Sequence, residues 1–170
     1  MLLPIICLAL SSAHIAYVAE SNLLVGFAGT TAAIKPVNIF SKSGFKISIY
    51  NDGSAKTCVP AENCSWGYEM ISFEIKSPAD KKYTVTRKPK PWDKNYPIPV
   101  AIGAKDISVR EIHLLDGTWQ GLPAGISGSQ DGWIIRVNLM VEKDILQLSK
   151  EPFWAGKISS RWKPAELVSQ

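Results

Sequence analysis

Apolar and polar residues alternate with a period of two in several short windows, the pattern of strands that bury one face. Phe45, Ile47 and Ile49 alternate with Lys46, Ser48 and Tyr50, and the run stops at Asn51-Asp52-Gly53. Those residue types tolerate the positive φ of a tight turn. Ile71, Phe73 and Ile75 alternate with Ser72, Glu74 and Lys76, and Ser77-Pro78-Ala79-Asp80 ends that strand. Tyr83, Val85 and Arg87 against Thr84 and Thr86 form a third window. The clearest strand runs from Trp133 to Glu142, with Trp133, Ile135, Val137, Leu139 and Val141 on one face and Arg136, Asn138 and Glu142 opposite. Further strands are predicted over Leu23 to Phe27, Ile34 to Phe40, Ile98 to Ile102, Ile107 to Leu114 and Lys157 to Trp162. The best helical window, Lys143 to Lys150, is long enough for a turn or two.

Short strands punctuated by 12 Gly and 11 Pro argue for a sandwich or barrel over a doubly wound α/β fold, and the expectation is an all-β protein, an antiparallel β-sandwich, with at most one or two short helical turns. Immunoglobulin-like topology is the first expectation, without the inter-sheet disulfide of antibody domains. A sandwich domain is predicted over 34–163, preceded by a flexible arm or edge strand over 14–33 and followed by a tail over 164–170.

Composition sharpens that picture in one respect. Hydrophobic residues at 46% with 20% charged are values of a chain that folds. Met1 to Leu10 is uncharged and nearly all apolar, and Ser11-Ser12-Ala13 follows. Residues 1–13 therefore read as a secretory signal peptide, although no positive residue precedes the apolar run. The run is too short to span a bilayer, so no integral membrane span is expected, and the product is predicted to be secreted, periplasmic or at the cell surface. Cys7 would leave with the leader, and the remaining pair, Cys58 and Cys64, is then expected to form a disulfide closing a small loop. Two thiols without a nearby histidine make no zinc site, so neither a metal nor a cofactor is expected.

Net charge is +4, and it is unevenly spread. Residues 81–94 hold Lys81, Lys82, Arg87, Lys88, Lys90 and Lys94 against Asp93 alone, a balance of +5 that leaves about −1 (4 − 5) for the rest. Within them, Lys88-Pro89-Lys90-Pro91-Trp92-Asp93-Lys94-Asn95-Tyr96-Pro97 carries prolines that forbid a regular ladder and favour an extended surface path. Trp92 and Tyr96 would then stand beside Lys88, Lys90 and Lys94, with aromatic faces for sugar rings and ammonium groups for anions. The competing reading is a stiff crossover anchored by a tucked-in Trp92. The glycine-rich stretch Asp116 to Gly125 offers Trp119 as a second contact, or is simply a hairpin connection. The ligand expected is an acidic glycan or an acidic protein surface, and nucleic acid is not expected at this modest charge.

Little points to catalysis. His113 is one of two histidines, the other being His14. The nearest approach to a nucleophile elbow is Gly125-Ile126-Ser127-Gly128, in a loop with no helix to follow. The sequence thus predicts a non-catalytic recognition module for adhesion, pilus-type assembly or surface ligand binding. Two alternatives compete with it: a secreted enzyme inhibitor presenting the loop between Cys58 and Cys64, and a small hydrolase using His113 with Ser108 and Asp116. Phe153, Trp154, Ile158 and Trp162 are many large apolar residues for a chain end, and they raise the expectation of an oligomer or a subunit of an assembly.

Overall fold

The computed structural model describes residues 23–28, 36–93, 96–124 and 132–166. The expected leader, Cys7, His14, Lys94 and Ser127 lie outside them. The protein is all-β. Twelve strands are described: β1 (Leu23–Phe27), β2 (Val37–Asn38), β3 (Phe45–Asn51), β4 (Thr57–Pro60), β5 (Ile71–Lys76), β6 (Lys82–Arg87), β7 (Pro99–Ile102), β8 (Ile107–Ile112), β9 (Trp119–Gln120), β10 (Ile134–Val141), β11 (Gly156–Ser159) and β12 (Lys163–Glu166). The two helices, α1 (Ser65–Tyr68) and α2 (Ile145–Leu148), are one turn each, as expected for α2. No described helix is long and apolar enough to cross a membrane.

A seven-stranded sheet runs in the order β2-β12-β10-β5-β6-β9, with β11 also pairing β10. All its pairings are antiparallel except β12 with β2, which is parallel. A second sheet has the order β1-β3-β8, and β4 pairs β7 separately. Residues 164–166, expected within a tail, therefore form most of a strand inside the larger sheet. The arm expected over 14–33 contributes β1, which lies at the edge of its sheet.

The period-two pattern explains how one core forms. On the larger sheet Ile71, Phe73, Ile75, Val85, Ile135, Val137 and Leu139 all face inward, and they join Leu23, Phe27, Ile47, Ile49 and Ile112 of the smaller sheet in a single cluster. Rings tie the sheets together. Phe45 sits between Phe27 at 6.0 Å and Phe73 at 5.5 Å, and Phe73 meets Trp119 at 5.4 Å. The apolar residues near the end of the chain are absorbed by the same fold. Phe153 is buried, Trp154 and Ile158 pack on the core, and Trp162 lies under Arg136 at 4.7 Å.

The turn after β3 forms at the expected residues by a different device. None of Asn51, Asp52 and Gly53 has positive φ. Instead Asn51 Oδ1 accepts from Gly53 N at 3.0 Å, while its Nδ2 donates to Ala55 O, Ile102 O and Gly103 O at 2.8, 3.1 and 3.0 Å. The strand that follows, β4, pairs β7 and does not return on β3 as a hairpin.

Candidate functional site

The larger sheet has two faces, and the alternation that buries one exposes the other. Ser72 and Glu74 from β5, Thr84 and Thr86 from β6, Gln120 from β9, and Asn138 and Met140 from β10 line a groove of about 570 Å³ on the outer face. Lys157, Glu69, Arg87 and Pro89 complete its walls. Strand pairing sets the spacing, because Glu74 stands opposite both Thr84 and Arg136, Thr86 opposite Gln120, and Ser72 opposite Asn138. Gly121 holds β9 against β6. Its φ is +82°, and any side chain there would run into Thr84 O.

Hydrogen bonds order the polar side chains of this face. Arg136 Nη2 donates to both oxygens of Glu74 at 2.8 Å, Asn138 Nδ2 lies 3.4 Å from Glu74 Oε1, and Ser159 Oγ donates to Asn138 Oδ1 at 2.6 Å. Burial pushes the Glu74 carboxyl up, but the hydrogen bond and charge of Arg136, with smaller help from Asn138 and Lys82, outweigh it and hold the group below its ordinary value. Glu74 is thus held as a fixed acceptor. Gln120, Thr84 and Thr86 keep most of their donors and acceptors for the groove.

At Pro89 the groove meets the lysine- and proline-rich segment, where cations and rings alternate in a stack. Arg87 lies 4.1 Å from the Trp119 ring and 5.4 Å from Tyr68, and Lys90 lies 4.4 Å from Tyr68 and 4.1 Å from Trp92. Tyr68 and Trp92 meet edge to face at 5.5 Å. Arg87 is further held by Thr118, by Glu62 at 3.4 Å and by Asp116 at 3.6 Å. Such contacts contribute about 0.5–1 kcal/mol each at an exposed cation such as Lys90 and about 2 kcal/mol at a largely buried one such as Arg87, so the loop is anchored to the body of the protein.

Five of the six residues expected to bind ligand are described, and they are separated. Lys90 and Trp92 stay together, joined by Tyr68, which the sequence did not mark. Lys88 is exposed beside them, its N–H bonded to Thr118 O at 2.7 Å. Tyr96 faces a different depression, of about 580 Å³, with Pro97, Pro99 and Leu148. Trp119 is only 4% exposed and is no surface contact: as the inward residue of β9 it fills the space between Phe73 and Arg87. Trp92 is half-buried, closer to the anchored reading than to a free platform.

The expected disulfide is absent, and both thiols are free and buried. Cys58 lies in β4, where all four residues are buried. Cys64 caps α1 and donates its S–H to Ala61 O at 3.0 Å. Their side chains are committed to separate packing. Burial pushes the Cys58 thiol up, partly offset by Lys56 and reinforced by Glu151, which leaves it protonated and unreactive.

His113 Nε2 is 3.3 Å from Glu111 Oε1, and both side chains are about half exposed. Among the described residues no group of three His, Cys, Asp or Glu side chains could hold a metal. No protein-family model matches the sequence, and no curated protein or solved structure matches it either.

Proposed function

We propose that the chain is an exported, non-catalytic recognition module, a two-layer sandwich that binds a glycan in the groove on the outer face of its larger sheet. One observation carries this reading. Hydroxyl, amide and carboxylate groups from neighbouring strands, Ser72, Glu74, Thr84, Thr86, Gln120 and Asn138, converge on one groove whose walls also carry the apolar surfaces of Met140 and Pro89, the mixture of polar edges and apolar faces that a sugar ring presents. A sugar exchanges water for directional hydrogen bonds, and ordered acceptors such as Glu74 lower the entropy lost in doing so. Arg87 and Lys157 of the walls, with Lys88 and Lys90 on either side of the wall residue Pro89, outnumber the carboxylates Glu69 and Glu74 and favour an anionic sugar. The inhibitor reading is weaker, because the loop between Cys58 and Cys64 lacks the cross-link that was to stiffen it.

A glycan-binding screen comparing neutral, uronic-acid and sulfated oligosaccharides tests the proposal. Gln120→Ala and Thr86→Ala are each expected to weaken binding about tenfold, with melting temperature changed by no more than about 2 °C. Anionic ligands are expected to lose affinity as salt rises. No glycan binding, or binding indifferent to both substitutions, would overturn the assignment.

A further inference from the structure

The smaller sheet ends at β8, which is paired with β3 on one side and, among the described residues, with no strand on the other. Asn51 N bonds to Asp106 O, so by the alternation of antiparallel ladders the even residues of β8 bond to β3. The amides and carbonyls of Ile107, Val109 and Glu111 then face the open edge. Proteins normally blunt such an edge, yet here two of the three outward side chains of β8 are apolar. Ile107 is 54% exposed, Val109 51% and Leu24 54%. Leu24 and Ile107 stand on either side of Tyr50 in one row across the sheet.

The residues along and leading into this edge, Lys105-Asp106-Ile107-Ser108-Val109-Arg110-Glu111, read as an inverted image of themselves in charge. Laid antiparallel on a second copy with Ser108 on the twofold axis, Ile107 faces Val109 and Asp106 faces Arg110, while Lys105, in the left-handed turn before β8 with its N–H bonded to Asn51 O, comes beside Glu111. Each pair occurs twice, and every charged residue meets its opposite. Ile107 and Val109 share a face in this register, so the row of Leu24, Tyr50 and Ile107 continues across the axis.

We infer that the chain self-associates through β8 as an isologous dimer, its two smaller sheets joining edge to edge into one six-stranded sheet. Ile107 N would exchange its present acceptor, Asp106 Oδ1 at 2.8 Å, for a carbonyl of the second copy. Lys105 and Glu111 would exchange exposed contacts with Asp52 and His113, which contribute little. None of residues 105–111 lines the groove, so the inference stands apart from the glycan reading, and the dimer carries two grooves.

Sedimentation velocity of the full chain from about 1 µM to about 1 mM tests it. A reversible monomer–dimer equilibrium is expected, abolished by Val109→Lys. Lys105→Glu and Glu111→Lys each place like charges across the axis twice and are expected to raise the dissociation constant about tenfold. The double variant restores opposite charges and is expected to return to within about threefold of the parent. Gln120→Ala leaves the equilibrium unchanged, and thermal melts check that each variant folds. A monomer at every concentration, a dimer indifferent to Val109→Lys, or failure of the double variant to recover would each overturn the inference.

Discussion

Asn51 occupies the inward position that follows Ile47 and Ile49 on β3, a place where the alternation calls for an apolar side chain. It is fully buried, and its amide joins the turn after β3 to the carbonyls of Ile102 and Gly103 at the end of β7. Asn51→Ala would strand the buried Ile102 carbonyl and Gly53 N–H and release the part-buried carbonyls of Ala55 and Gly103, and the expected loss is about 2–4 kcal/mol, read from urea denaturation. A change below about 1 kcal/mol would show that water replaces the side chain. The residue type marked this turn correctly in the sequence, but as a source of positive φ. Its reach to a segment fifty residues later depends on tertiary proximity, which no local pattern carries. The two cysteines failed for a related reason. Spacing permits a bridge, while the opposed demands of strand β4 and the cap of α1 decide against one.

Strands whose two faces differ were legible, and strands without that contrast were not. β3, β5, β6 and β10 fall within a residue or two of where the alternation places them. β4 was invisible because all four of its residues are buried, β9 because it has only two residues in a glycine-rich stretch, and β12 because Pro164 argues against a ladder. The central pairing of β5 with β10 also has a chemical signature. Glu74, bound by Arg136 across that pair, has its carboxyl held below the ordinary value. A lowered folded value means that its contribution is present above the unfolded value of about 4.3 and is lost as pH falls through the folded one. The urea midpoint is therefore expected to drop between about pH 5 and pH 3, and Glu74→Gln to drop less over that window. Parallel curves for the two proteins would show that the Arg136 pair adds nothing to acid stability.

At the scale of the molecule, the groove was present in the sequence as the unread half of the alternation. Ser72, Glu74, Thr84, Thr86 and Asn138 are the polar partners of residues that were read for the core, and their convergence required knowing that β5 lies between β6 and β10. The basic segment was legible as unusual but not as anchored, because Tyr68, the ring that fastens Lys90 and Trp92, belongs to α1, about twenty residues earlier. Neighbour order, which sets both features, is a property of the assembled sheets.

The run of rings and cations from Phe27 through Phe45, Phe73, Trp119, Arg87, Tyr68 and Lys90 ends at the indole of Trp92, 4.1 Å from an ammonium group. A sulfated or carboxylated sugar that draws Lys90 off that ring alters the field at the chromophore. Tryptophan emission of the unlabelled protein is then expected to change on titration with such a sugar, and Trp92→Phe to abolish the change while sparing the binding itself. The loop would in that case report its own occupancy by light.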